Sequence, residues 1–271
     1  MKFDMGRAWN DAVALLRANG QVVTVVAGAF FFLPNVILMM LISNSAASAE
    51  AAAASAANAD AALEAAGTLY SEFWWQLLLV TAVTAIGMLG LLALLTDRGR
   101  PTVGEALRSG ITYLLPYLGS QILISLLVVT MIVLPIALAT LASAAAGAIV
   151  GIAAAVAAIC VYIKFSLTVP VIVMDKVANP FRALGRSWAL TKGHSVRLFA
   201  FYLLLFVALL VIAVVISLIV SLLGALAGPT SAVFISSLIN SVINAIAIAI
   251  YLAVLAAIHR QLSNGTVQTV G

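Results

Sequence analysis

Charge is what this chain has least of. Only 8% of its 271 residues are Asp, Glu, Lys or Arg, against roughly 25% in an ordinary soluble domain. Such a chain cannot present a solvated surface all round, which excludes a free-standing water-soluble globule. Cysteine is nearly absent too: the lone Cys160 leaves no intramolecular disulfide and no thiolate set for a metal, and its place in an apolar helix reads as helix packing. Histidine occurs twice, as His194 and His259. No HExxH, Ser-His-Asp, Walker A or paired-carboxylate pattern is present, and the apolar runs hold no acidic residue. Hydrolytic chemistry, metal chemistry and a pump built on buried carboxylates therefore lack their residues. The expectation is a protein that is not an enzyme and carries no cofactor or metal.

What is present is apolar sequence, 65% of the chain. Crossing the ~30 Å hydrocarbon core takes about 20 apolar residues per helix, and the chain offers six such runs. They cover residues 21–43, 73–95, a third ending near 141, a fourth ending near 174, 196–223 and 232–258. The first run is too long for the apolar stretch of a secretory signal, about 7–15 residues, and two aspartates precede it, so it is read as a span despite the small residues Ala47-Ser48-Ala49. Residues 44–72 are Ala-rich, carry Glu50, Asp60, Glu64 and Glu72, and have no Lys or Arg; alanine favours helix, so this outer loop is expected to be largely helical and to extend a span. Trp74 and Trp75 mark the interface where the second span begins.

Three stretches read as amphipathic helices lying in the membrane interface. In the first, Met5, Trp9, Ala12, Val13 and Leu16 recur at helical spacing. The second opens with the capping box Thr102 and Glu105, carries an apolar stripe from Val103 to Leu114, and precedes the third span. The third starts at Asn179-Pro180 and stops at Gly193, with Phe181, Leu184 and Trp188 on one face and Arg182 and Arg186 on another. The chain is then one all-α membrane domain over 1–271, a polytopic integral membrane protein whose six transmembrane helices form three repeats of amphipathic interfacial helix plus transmembrane hairpin, over 1–95, 96–175 and 176–262.

Charge placement orients it. None of the thirteen Lys and Arg residues falls in 44–72 or in the turns near 144 and 228, which are the outer segments if the N-terminus is inside. The positive-inside rule then puts both termini in the cytoplasm. The basic pI belongs to this collar of interfacial helices, where it meets anionic lipid headgroups, and not to nucleic acid.

A few residues stand out against the apolar background. Lys164 lies inside the fourth span toward its cytoplasmic end, placed either to snorkel or to bind a phosphate or carboxylate. Ser236, Asn240 and Asn244 recur at i, i+4, i+8 in the sixth span, and amides in lipid need partners, so this face is expected to turn inward as helix glue or as the lining of a polar path. Gly147 and Gly151 allow close helix approach. Arg182, Arg186 and Lys192 carry the collar.

The run Thr168-Val169-Pro170-Val171-Ile172-Val173-Met174-Asp175, followed by Asn179-Pro180-Phe181-Arg182-Ala183-Leu184-Gly185-Arg186-Ser187-Trp188-Ala189-Leu190-Thr191-Lys192-Gly193, resembles the membrane domain found with bacterial glycerophosphoryl diester phosphodiesterases. The resemblance implies a six-span inner-membrane architecture in which Pro170 bends span four, Asp175 ends it, Pro180 opens the surface helix, Trp188 anchors it and Gly193 turns the chain back into the bilayer. In that family the phosphodiester chemistry belongs to a separate soluble domain, so no activity is implied here. The leading expectation is a scaffold or accessory subunit that touches anionic lipid and a membrane protein partner. The alternative is a carrier of a lipid, amphiphile or peptide, using Lys164, Asn240 and Asn244 as a polar lining.

Overall fold

A computed structural model describes residues 3–43, 45, 48, 58–96, 102–227 and 229–267. Among them every regular element is helical and no strand occurs. The helices are α1 (Met5–Ala18), α2 (Gly20–Ser43), α3 (Ala59–Thr96), α4 (Val103–Thr140), α5 (Ala144–Phe165), α6 (Thr168–Met174), α7 (Pro180–Thr191), α8 (Ser195–Ala227) and α9 (Pro229–Val267). Six helical stretches are long and apolar enough to cross a membrane, one for each run read from the sequence. Their outward residues, such as Leu115, Leu126, Leu138, Leu204 and Ile212, are exposed; in water a surface of that kind would aggregate, whereas lipid is its natural solvent.

Local signals set the helix ends. Thr102 Oγ1 accepts from Glu105 N at 3.3 Å while Glu105 Oε2 accepts from Thr102 N at 2.8 Å, completing the capping box. Asn179 Oδ1 accepts from the amides of Phe181 and Arg182, with Pro180 at the first helical position. Gly193, at φ +82°, makes the left-handed turn between α7 and α8.

One expectation changes. The second surface helix is not separate: α4 runs unbroken for 38 residues with Pro116 and Pro135 inside it. Nothing between Leu114 and Pro116 caps a helix end, and a lone proline in lipid kinks a helix more readily than it opens the backbone to hydrocarbon. At 1.5 Å per residue α4 is about 57 Å long, well beyond the thickness of a ~30 Å core. The Ala-rich loop is helical from Ala59, where α3 begins and continues through Trp74 and Trp75; residues 44, 46, 47 and 49–57 fall outside the described residues, as do the basic turn at 97–101 and Gly228.

The chain forms two compact units. One comprises Gly20–Met88 and Val207–Ile250. Within it, α2 carries a π-helical turn, Gly28–Phe32, just before Pro34. Proline cannot bond the carbonyl four residues back, that of Phe30, and Thr84 Oγ1 donates to it at 3.4 Å. Gly87 lets α3 approach this turn closely, since a methyl at that position would collide with Phe30.

The other unit comprises Met1–Asn19, Leu89–Phe206 and Tyr251–Gly271. Its post is the stretch Leu252–Ile258 of α9: every residue there is fully buried, the mark of a helix segment surrounded on all sides. Ala8 and Ala12 of α1, Leu89, Leu91 and Leu92 of α3, Val171 and Ile172 of α6, Ala183 of α7 and Leu198 of α8 complete this core. The hairpin α4–α5 closes through Gly147 against Thr140 and Gly151 against Ile136. Cys160, expected to pack between helices, is exposed on α5, where a small apolar thiol suits lipid.

Candidate functional site

Pro170 determines where the fourth span breaks. Its ring excludes the carbonyl of Ser166 and it has no N–H to give. The helix therefore stops at Phe165, turns through Ser166 and Leu167, and restarts at Thr168; the bend expected at Pro170 lies one turn earlier, and Asp175 caps the C-terminus of α6. Three carbonyls at the break take side-chain donors. Ile163 O accepts from Ser166 Oγ at 2.7 Å and Phe165 O from Thr168 Oγ1 at 2.6 Å. Lys164 O accepts from two hydroxyls of α7, Ser187 Oγ at 2.8 Å and Thr191 Oγ1 at 3.2 Å. Both hydroxyl residues are fully buried, one turn apart, so α7 is fastened along the broken span.

Fastening α7 in this way shapes a cleft at its N-terminus. About 620 Å³ in volume, it is lined by Asp175, Lys176, Val177, Ala178, Asn179, Arg182 and Arg186. Lys176 stands at φ +53°, the sole non-glycine residue in the left-handed region among the described residues, a conformation that costs a side-chain-bearing residue about 1–2 kcal/mol. That strained turn swings the chain from the end of α6 into the start of α7.

The lining carries three cations against one carboxylate. Asp175 Oδ2 accepts from Arg186 Nε at 3.3 Å, and its Oδ1 lies 3.3 Å from Nε2 of His259. The alignment at His259 is too oblique for a full hydrogen bond, so the Asp175 oxygen meets the ring in a weak polar contact. His259 is 2% exposed, and its Nδ1 has no partner among the described residues. Arg186 is about half exposed, and an exposed pair contributes only about 0–1 kcal/mol. The pair therefore does little for stability; what it does is fix the guanidinium beside the cleft. Next to His259, Arg260 Nη2 donates to Leu95 O at 3.1 Å and Thr96 O at 3.3 Å, covering the last carbonyls of α3.

Lys164 does not reach for a carboxylate. Its ammonium sits 4.3 Å from the centre of the Trp188 ring, which also packs on Phe165 with ring centres 5.6 Å apart, a cation–π arrangement. Trp188 and Phe181 keep exposed faces, as an interfacial anchor would. Lys192 is exposed at the end of α7.

Asn240 and Asn244 belong to the other unit and both are exposed; Asn244 meets a neighbouring helix as helix glue, whereas Asn240 bonds only its own helix. Asn240 Nδ2 donates to Ser236 O at 2.8 Å on its own helix, and Asn244 Oδ1 accepts from Asn35 Nδ2 at 3.2 Å across helices. Small residues take the buried face instead, namely Ser237, Ser241, Ala245 and Ala249. The roles of Lys176, His259 and Arg260 were not read from the sequence. Lys176 had a signal in its place between a helix stop and a helix start, whereas nothing local marked His259.

Among the described residues the fold is all-helical, with six helices long and apolar enough to cross a membrane and a basic cleft where the fourth of them ends. Comparison with protein-family models, with curated proteins and with solved structures finds no match to this chain.

Proposed function

We propose that this chain is a non-enzymatic protein of the bacterial inner membrane, a scaffold or accessory subunit whose cytoplasmic face holds anionic lipid headgroups. The observation that carries this reading is the cleft in which Lys176, Arg182 and Arg186 face a single carboxylate. Exposed aromatic side chains at Phe181 and Trp188 on the same short helix are what an interfacial helix needs to hold such a cleft at headgroup depth. On this reading α1, the first turns of α4 and α7 are the interfacial members of three repeats, and both termini are cytoplasmic, following the placement of Lys and Arg. The resemblance to the membrane domain of the glycerophosphoryl diester phosphodiesterases is carried as kinship of architecture. The test is native mass spectrometry from native-membrane nanodiscs, comparing the protein with a variant in which Arg182, Arg186 and Lys192 are changed to Glu. Anionic lipid and any protein partner retained at fixed stoichiometry are expected to fall away in the variant; unchanged retention of both refutes the reading.

Carriage of an amphiphile is the second reading, favoured by unpartnered polar atoms in the other unit. Ser241 Oγ and Gln76 Oε1 are buried without a hydrogen-bond partner among the described residues, which is costly in an apolar setting. Counting along antiparallel helices from the Thr84–Phe30 and Asn35–Asn244 contacts brings Gln76 and Ser241 to the same level, that of Leu38. A polar layer there would take up water or the polar group of a passing molecule. Ser241→Ala together with Gln76→Leu is expected to abolish uptake of the carried species into proteoliposomes; uptake by the variant at the parental rate removes this reading.

A further inference from the structure

Resting on the lipid-headgroup reading, we infer that the cleft at Asp175–Arg186 selects a phosphate monoester, a group with two negative charges and three free oxygens, over a phosphodiester. Three features of the site lead there.

The first is charge. Lys176, Arg182 and Arg186 against Asp175 leave the lining with an excess of two positive charges, which a dianionic phosphate neutralises and a singly charged diester does not. Among the described residues Lys176 and Arg182 make no ion pair within the fold, so neither is committed elsewhere.

The second is hydrogen-bond geometry. Asp175 takes the Nε of Arg186, and this leaves the two terminal amino groups of the guanidinium to grip a ligand side by side, the arrangement in which arginine recognises phosphate. A monoester offers an oxygen pair to Arg186 and a third oxygen to Arg182 or Lys176; a diester has spent two oxygens on ester bonds. Asp175 also disfavours any further anion that lacks enough donors to compensate for it.

The third is position. Lys176 is held in the left-handed region, and strain of this kind persists where the surrounding structure over-determines it, commonly at sites that bind. At about 620 Å³ the cleft is the size of a small-molecule site, roughly 300–1,000 Å³, and so admits the alcohol of the ester as well as its phosphate.

A phosphate monoester reaches the site either as a lipid headgroup or as a soluble ion, and the test separates the two. The full chain is placed in phosphatidylcholine nanodiscs containing equal minor fractions of phosphatidic acid or of phosphatidylglycerol. Lipid retention on release is read by native mass spectrometry, and the thermal midpoint is read in the discs. Phosphatidic acid is expected to be retained over phosphatidylglycerol by on the order of tenfold, the value of one added charge-assisted contact. Arg182→Gln and Lys176→Gln should each remove most of that preference, while Arg197→Gln, exposed at the start of α8 and outside the cleft lining, should preserve it. Equal retention of the two lipids overturns the inference and leaves the anionic-lipid reading standing; retention of neither overturns both. Inorganic phosphate that raises the midpoint in pure phosphatidylcholine discs as far as phosphatidic acid does, and loses that effect in Arg182→Gln, supports the monoester chemistry and assigns it to a soluble ligand.

Discussion

The same substitution made at two glycines should move stability in opposite directions. Gly87 lies on α3 where it meets the π-helical turn of α2. A Cβ added there would stand 2.9 Å from Phe31 Cε1 and 3.0 Å from Phe30 Cγ, and would collide with Phe30 Cβ. A ring can rotate away from a methyl group, but a Cβ is fixed to its backbone, so relief requires the helices to part. Overpacking of this kind costs about 1–3 kcal/mol, and replacing glycine by alanine in a helix returns about 0.8–1.0 kcal/mol. The net expectation for Gly87→Ala is a loss of up to about 2 kcal/mol. Gly185 is in the middle of α7, and nothing lies within 4 Å of its added Cβ, so Gly185→Ala keeps only the gain, about 0.5–1 kcal/mol. At about 2–4 °C per kcal/mol for a chain near this size, tryptophan-fluorescence melts in one detergent resolve the two signs. A rise for both variants would show that α2 and α3 do not approach at Gly87 and would remove the packing argument.

Other contacts give further expectations. Ser187→Ala with Thr191→Val strips both α7 donors from Lys164 O; because the two share one acceptor, the double variant should lose about 1–2 kcal/mol, less than two independent bonds, and hydrogen exchange at 180–191 should quicken. Unchanged exchange there would mean that the hydroxyls do not hold α7. Asp175→Ala removes the oxygen that faces the buried His259 and should cost about 0.5–1.5 kcal/mol, whereas Asp175→Asn keeps an oxygen there and should cost less. Equal melting of the two variants would contradict a role for that oxygen. Trp188→Leu removes the ring beneath the Lys164 ammonium, so acylation of Lys164 by an amine-reactive reagent should speed up. A rate equal to that of the parent would show the contact does not shield the amine.

How far the sequence could be read follows from how local each determinant is. Thr102 with Glu105, Asn179 with Pro180, and Gly193 set helix ends through atoms within four residues of themselves, so each was legible. The rotation of α9 was not. Asn240 and Asn244 looked like the face that must turn inward because amides need partners, yet Ser237, Ser241, Ala245 and Ala249 lie buried at the same four-residue spacing. Close approach of helices is won by small side chains, while an exposed amide can bond its own backbone, as Asn240 does with Ser236 O. The full burial of Leu252–Ile258 was hidden for a related reason: a helix apolar all round can face lipid or protein with the same sequence, and only its neighbours decide. The cleft combines both kinds of determinant. Arg182 and Arg186 were placed on one face by helical spacing, but Lys176 joins them only through a left-handed turn that no periodicity encodes, and His259 reaches Asp175 from 84 residues further along the chain. A charge cluster assembled from a helix face, a strained turn and a distant helix end cannot be found by scanning for a motif. It becomes visible only once the break forced by Pro170 has brought α7 back along the fourth span.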